Sequence, residues 1–154
     1  MEKQSLPGIK NNMMEHVEIY LSGIGLPKLD VMSNTDPYMI ISLKEGKTGQ
    51  FKEIGKTEII KDNQNPEYTT SFSLEYHFEQ RQFVKIECRD ADNTSGTDFD
   101  VVGECQFELG QLVGCKDKQL MLDLFNMKKA KNNGKAIIRV EKQSQDIREV
   151  SFHI

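Results

Sequence analysis

Carboxylate side chains carry most of the chemistry open to this chain, and they gather in two short segments. The first reads Leu29-Asp30-Val31-Met32-Ser33-Asn34-Thr35-Asp36-Pro37-Tyr38 and the second Asp90-Ala91-Asp92-Asn93-Thr94-Ser95-Gly96-Thr97-Asp98-Phe99-Asp100. Pro37 closes the first just before an apolar run, and the second follows the alternating stretch Phe83 to Cys88, so each is a loop beside a strand. Any one of these aspartates read alone is a turn-former that accepts local backbone hydrogen bonds. If the two loops meet at one end of a sheet sandwich, however, their carboxylates face one another. At an effective dielectric near 20 and separations of about 5 Å, each like-charged pair then repels by roughly 3 kcal/mol. A hard cation with oxygen ligands offsets that repulsion. The flexible, high-coordinate geometry of calcium suits aspartates on loops better than the rigid octahedron of magnesium. The pattern therefore predicts a calcium cage. An EF-hand does not fit: the glycine of the second segment comes one position late, Val101 stands where the closing glutamate belongs, and the flanks are strand-like.

The elements that must position such loops are short and alternating. Val17, Ile19 and Leu21 alternate with Glu18 and Tyr20, and Phe72 and Leu74 with Ser71, Ser73 and Glu75, which is the period of half-buried strands. Strands are expected near 15–22, 37–43, 52–60, 69–74, 83–89, 101–108, 119–124 and 135–141. Turn signals stand between them and long helical periodicity is lacking, so the fold class is all-β, an antiparallel eight-stranded sandwich. A single helical turn is expected at Gln111 to Val113. Asn126 to Lys135, with Lys128, Lys129, Lys131 and Lys135 around Asn132-Asn133-Gly134, reads as a basic hairpin loop. Residues 1–14 read as a flexible leader, 15–142 as one domain, and 143–154 as a linker and extra strand, the start of a further domain being one reading of the alternation from Glu149 to Ile154.

Composition excludes several functions. At 154 residues and 37% hydrophobic content the chain builds one core, and no apolar run approaches the roughly 20 residues of a membrane span. Met1 to Met14 is polar, without the hydrophobic middle of a secretory signal, so a cytoplasmic setting is expected. Three cysteines at irregular spacing form no disulfide framework and no paired metal motif, and Cys88 and Cys105 read as buried apolar side chains. His16, His77 and His153 lack partners at zinc or catalytic spacing, and no nucleophile and base pair is evident, so no enzyme is expected. The formal net charge of −4 argues against nucleic-acid binding.

In this setting the residues resemble the C2 domain, the calcium-dependent lipid-binding sandwich, and most of all the first such domain of the copines. Asp30 to Tyr38 is similar to the family's first loop, Asp, five residues, Asp-Pro-Tyr, with Thr35 where serine is commoner. Lys56-Thr57 followed by Asn65-Pro66-Glu67-Tyr68 and Phe72 resembles the signature of the third and fourth strands. Asp90-Ala91-Asp92 and then Asp100-Val101-Val102-Gly103 resembles the third loop. The copine preference rests on Tyr76-His77-Phe78-Glu79, on Glu108 to Val113 and on the closing Glu149 to Phe152.

The resemblance implies calcium ligands at Asp30, Asp36, Asp90, Asp92 and Asp100. Asp98 is an extra or peripheral candidate: counting eight from Asp90 reaches Asp98, whereas counting back three from Gly103 reaches Asp100. It implies docking to acidic phospholipid membranes, with recruitment from the cytoplasm to plasma or internal membranes as calcium rises, in trafficking or signalling. Bound ions would neutralise the loops and let lipid phosphates or carboxylates complete the shells. Val31 and Met32 would dip into the interface, while the polar third-loop tip, with Thr94 and Ser95, would hydrogen-bond to headgroups. Val31 packing between the loops is an equal alternative. Tyr38, Lys56 and Asn65 match positions of a phosphoinositide groove, although Ile40 and Ile54 stand where lysines are expected, and the lysines at 44, 47, 52, 56 and 61 also read as a solvated face. The rival function is a calcium-independent scaffold domain that binds target proteins.

Overall fold

The computed structural model describes residues 13–29 and 35–143, so the expected leader up to residue 12 and all but Gln143 of the terminal linker and strand lie outside the described residues, while Met14 of the expected leader already belongs to the first strand. Eight strands follow in order: β1 (Met14–Ile24), β2 (Pro37–Glu45), β3 (Lys52–Lys56), β4 (Glu67–His77), β5 (Gln82–Ala91), β6 (Phe99–Glu108), β7 (Gln119–Asn126) and β8 (Lys131–Lys142), with one helical turn, α1 (Leu109–Val113), after β6. Every ladder is antiparallel, and the spatial order is β3-β2-β5-β6-β7-β8-β1-β4. Between β6 and β7 the ladder shrinks to a single pair, Glu104 opposite Phe125. There the sheet folds over into two layers, β3-β2-β5-β6 and β7-β8-β1-β4, which is a β-sandwich.

Alternation decides which side chains fill the space between the layers. Val17, Ile19 and Leu21 of β1, Phe72 and Leu74 of β4 and Ile138 and Val140 of β8 face Met39 and Ile41 of β2, Val84, Ile86 and Cys88 of β5 and Val102 and Phe107 of β6. Leu109 and Leu112 of α1 are fully buried at one edge, so the helical turn acts as a plug. β2 is central in its layer and is buried on both faces. Its outward Tyr38 and Ile40 join Ala91 in a second small cluster covered by Ile59 and Phe99. Cys88 and Cys105 are free thiols inside the core, and burial raises both, Cys105 to about 12, so neither is a thiolate at neutral pH.

Two expectations are corrected. The strand expected over 52–60 ends at Lys56, and the chain is thereafter held by irregular bonds: the Thr57 N–H donates to the Met39 carbonyl at 2.8 Å and the Ile60 N–H to that of Pro37 at 3.2 Å. The expected loop over 126–135 is instead a tight turn over 127–130, with Asn126 paired to Lys131 and Ala130 in the left-handed region at φ 51°. Asn133, which reads as a turn residue, is buried. Its Nδ2 donates to the Val102 carbonyl at 2.9 Å, and the Nδ2 of Asn126 donates to the carbonyls of Val101 and Val102 at 3.1 and 3.2 Å. These two amides replace the ladder where β6 and β7 part, satisfying buried carbonyls that strand pairing does not reach.

The seam also requires Gly103, since a Cβ there would sit 2.7 Å from the Leu124 carbonyl carbon and oxygen. Gly103→Ala is expected to lower stability by about 2–3 kcal/mol in urea denaturation, the scale of an overpacked core, whereas unchanged stability would show that the seam yields.

The start of β4 is fixed by Glu58. Its carboxylate accepts from the N–H and hydroxyl of Thr69 at 2.7 and 2.9 Å and from those of Thr70 at 3.2 and 2.6 Å. Desolvation works to raise its pKa, but these donors together outweigh it and hold the carboxyl at about 2. Because the folded value lies below the unfolded value near 4.3, this contribution is present above about pH 4.3 and is lost as pH falls toward 2. Glu58→Gln is expected to cost roughly 1 kcal/mol at pH 7 and to flatten the fall of the urea midpoint between pH 5 and 2.5; an equally steep fall in the variant would remove Glu58 from acid unfolding.

Candidate acidic loop site

Antiparallel pairing brings the β1–β2 loop, the β3–β4 crossover, the β5–β6 loop and the β7–β8 turn to one end of the sandwich. Within that end the ladders set the level of each aspartate. Pro37 of β2 pairs with Asp90 of β5, and Asp90 pairs with Asp100 of β6, so Asp36, one residue before β2, lies next to the level of Asp90 and Asp100. Asp36 is locked in place: its N–H donates to Asp90 Oδ1 at 2.9 Å, its carbonyl accepts from the Ala91 N–H at 2.9 Å, and its Oδ1 accepts from the Asp62 N–H at 2.8 Å.

Asp90 is the centre of the group. Its residue is only 3% exposed, and burial raises its pKa first, followed by the charges of Asp36, Asp92 and Asp100, against the single opposing bond from the Asp36 N–H. Among the described residues no cation figures in the groups that act on it. Asp36, Asp92 and Asp100 thus each act on Asp90, and no described cation offsets the repulsion felt there. Asp98 differs. Its carbonyl accepts the Asp92 N–H at 2.7 Å, while its exposed side chain is not among the charges felt by Asp90. Of the two counts through the third loop, the one from Gly103 therefore gives the aspartate beside Asp90. Asp30, Val31 and Met32 lie outside the described residues. Among the described residues, no three acidic, histidine or cysteine side chains converge as a ready-made metal site.

The third loop is stiffened from within. Asn93 Oδ1 accepts from the N–H groups of Gly96 and Thr97 at 2.8 and 3.1 Å, its Nδ2 donates to Thr97 Oγ1 at 2.8 Å, and Gly96 takes φ +77°, which only glycine adopts freely. The Tyr38 hydroxyl, on β2, donates to the Gly96 carbonyl at 3.0 Å and ties the tip to the sheet. Thr94 and Ser95 are exposed on this tip. Sequence reasoning passed over Asn93 and Asp62 as organisers; Asn-x-x-Gly and the Asp62-Asn63 pair were the available signals. It also passed over Arg89, whose guanidinium lies 3.9 Å from the Phe99 ring centre and 2.6 Å from Glu87, backing the same loop.

The groove residues separate. Tyr38 and Lys56 line one pocket of about 160 Å³ with Ile59 and Ser95. Asn65 lies elsewhere, its Oδ1 accepting the Gly25 N–H at 2.8 Å and so anchoring the start of the first loop. Ile40 is buried against Tyr38 and Ala91, leaving that strand face apolar, and Ile54 is 41% exposed. The donor set of the acidic end is carboxylate, carbonyl and hydroxyl oxygen, which matches a hard cation and not a soft one. Among the described residues no helix is long and apolar enough to cross a membrane.

Copine-D of Dictyostelium discoideum is 30% identical over 113 residues, 70% of this chain and 21% of that protein, and copine-A of the same organism is 30% identical over 125 residues, 81% of this chain and 20% of that protein. The chain thus spans about a fifth of the length of these relatives. Among solved structures, a C2 domain of plant extended synaptotagmin 1 superposes with a TM-score of 0.62 at 22% identity, over 85% of this chain and 97% of that one. BON1-C2B does so with a TM-score of 0.58 at 20% identity, over 92% and 100%. At such identities the likeness is one of fold. The C2 domain family model matches residues 16–127, from β1 through the acidic loops to the β7–β8 turn, and the chain belongs to the C2 domain family.

Proposed function

We propose that this C2 domain binds calcium through Asp30, Asp36, Asp90, Asp92 and Asp100, with Asp98 at the rim, and thereby docks to acidic phospholipid membranes. The observation that carries the reading is Asp90, a buried carboxylate whose ionisation is opposed by burial and by three neighbouring aspartates, with no described cation acting on it. Like charges gathered round a buried carboxylate are a repulsion that a folded chain without a counter-ion would be expected to relieve by proton uptake or by spreading its loops. A bound calcium ion would supply the missing charge and, through open coordination positions, an attachment for lipid phosphate or carboxylate.

The chain's own residues do the rest. Asp36 is held by the Asp62 N–H and Asp90 by the Asp36 N–H, so these two carboxylates are oriented before any ion arrives. Asn93 and Tyr38 keep Thr94 and Ser95 at the outer tip, in place to hydrogen-bond with headgroups. Val31 and Met32 stand between the first-loop ligands in sequence and are the residues to enter the interface. The role is binding, not catalysis, in a cytoplasmic protein drawn to membranes when calcium rises, and the copine likeness points to trafficking or signalling. A calcium-independent scaffold that binds target proteins is the outcome if the ion plays no part.

Replacing Asp36 and Asp92 together by asparagine removes charge and leaves volume. The double variant is expected to lose calcium-dependent sedimentation with phosphatidylserine-containing liposomes by at least about tenfold, with an unchanged circular dichroism spectrum. Sedimentation that persists at the original calcium level would sink the switch.

A further inference from the structure

We propose that the β7–β8 turn is a second membrane contact, in which Lys128, Lys129 and Lys131 engage the phosphates of an anionic bilayer and Met127 enters the interface. The inference rests on the membrane reading above but not on the acidic loops, and it assigns a role to the basic turn that the calcium site leaves unused.

Position comes first. The antiparallel order sets this turn at the same end of the sandwich as Asp36, Asp90 and Asp100, so a bilayer that meets the acidic loops lies across the turn as well. Exposure comes second. Met127 at the turn is 75% exposed, the most open of the large apolar side chains among the described residues, and Val101, Phe125 and Ile24, at 43%, 41% and 43%, share its end of the molecule. An isolated exposed methionine needs no explanation, but apolar side chains gathered at one end of a domain mark a surface for contact. Charge comes third. Lys128, Lys129 and Lys131 are exposed and have no ion-pair partner among the described residues, whereas Lys135, further along β8, is tied to Asp123 at 2.7 Å. Three such cations flanking an apolar tip complement an anionic interface.

The turn is also held rigidly. Asn126 Oδ1 accepts the Lys129 N–H at 2.9 Å while its Nδ2, with that of Asn133, grips the Val101 and Val102 carbonyls of β6. A cleft of about 610 Å³ opens between the turn and β6, and its lining includes the carboxylates Glu87, Asp100 and Glu104 as well as Met127, Lys128 and Lys129. Asp100 therefore belongs both to the acidic cluster and to the cleft, so a headgroup held by the lysines sits beside the calcium site. With no ion, the acidic loops repel an anionic bilayer while the lysines attract it. The turn accordingly supports weak, salt-sensitive binding without calcium and strengthens binding with it.

The sequence contains no tryptophan, so Met127→Trp creates a single reporter. With vesicles of phosphatidylcholine and phosphatidylserine bearing brominated acyl chains, emission from position 127 in calcium is expected to shift to the blue and be quenched. Met121→Trp, at a site 50% exposed midway along β7, should show neither change. Replacing Lys128, Lys129 and Lys131 together by glutamate should weaken vesicle partition at least about tenfold, on a scale of roughly fivefold for each lysine, without weakening calcium binding in calorimetry; glutamine replacements serve as the milder variant. Sedimentation without quenching at 127, or undiminished partition of the charge variants, overturns the proposal and leaves the calcium reading standing. Binding that depends on the lysines but not on calcium supports the turn and overturns the calcium reading. A failure to bind any vesicle, with or without calcium, overturns both.

Discussion

The ladder that joins β2, β5 and β6 sets everything at the acidic end. Its register puts Pro37 opposite Asp90 and Asp90 opposite Asp100, so Asp36 arrives beside two carboxylates from a loop more than fifty residues further along the chain. A one-residue slip would turn each side chain to the other face of its sheet, and the buried sides of these strands, Met39 and Ile41, Val84, Ile86 and Cys88, forbid that slip. The hydrophobic core thus fixes the electrostatics: apolar burial on the inner face holds together charges that repel at the strand ends.

That arrangement separates the cost of assembling the site from the act of binding. The repulsion that Asp36, Asp92 and Asp100 exert on Asp90 is borne by the folded sandwich, with the N–H groups of Asp36 and Asp62 orienting the carboxylates of Asp90 and Asp36. The described parts of the loops around them are tied down. Asn93 gathers the third-loop amides, Tyr38 ties that loop to β2, and Asn65 ties the first loop to the crossover before β4. On the other side of the same end, Asn126 and Asn133 fasten the basic turn to β6. Opposite charges are thereby presented side by side at one end of the sandwich.

Much of this was legible in the amino acids. Period-two alternation located β1 and β4 because one face of each meets the core and the other meets water, and the aspartate spacing located the two loops. The ambiguity between Asp98 and Asp100 was not resolvable by counting, since it depends on where the β5–β6 ladder resumes after a bulge near Cys88 and Arg89. Asn132-Asn133-Gly134 has the composition of a turn and misled for a physical reason: Asn133 spends its amide on a buried carbonyl, and the chain reverses earlier, through Ala130, a residue type that gives no warning of a left-handed backbone. Ile40 showed that a lysine groove was incomplete, but not that this face of β2 is closed by Ile59 and Phe99, which is a tertiary fact. Asn-x-x-Gly and Asp62-Asn63 mark turns, but which backbone N–H groups meet the Asn93 and Asp36 oxygens there depends on the folded loops.

The central claim is that the acidic end is built for a hard cation, and calorimetric titration of the metal-free chain with calcium, followed by the same titration with magnesium, tests it most directly. Saturable calcium binding at neutral pH, reversed by chelator, accompanied by a higher melting temperature and much weaker with magnesium, is the predicted result. A titration that yields no heat of binding, with a melting temperature indifferent to calcium, would contradict it and leave the aspartates as a repulsion the fold merely tolerates.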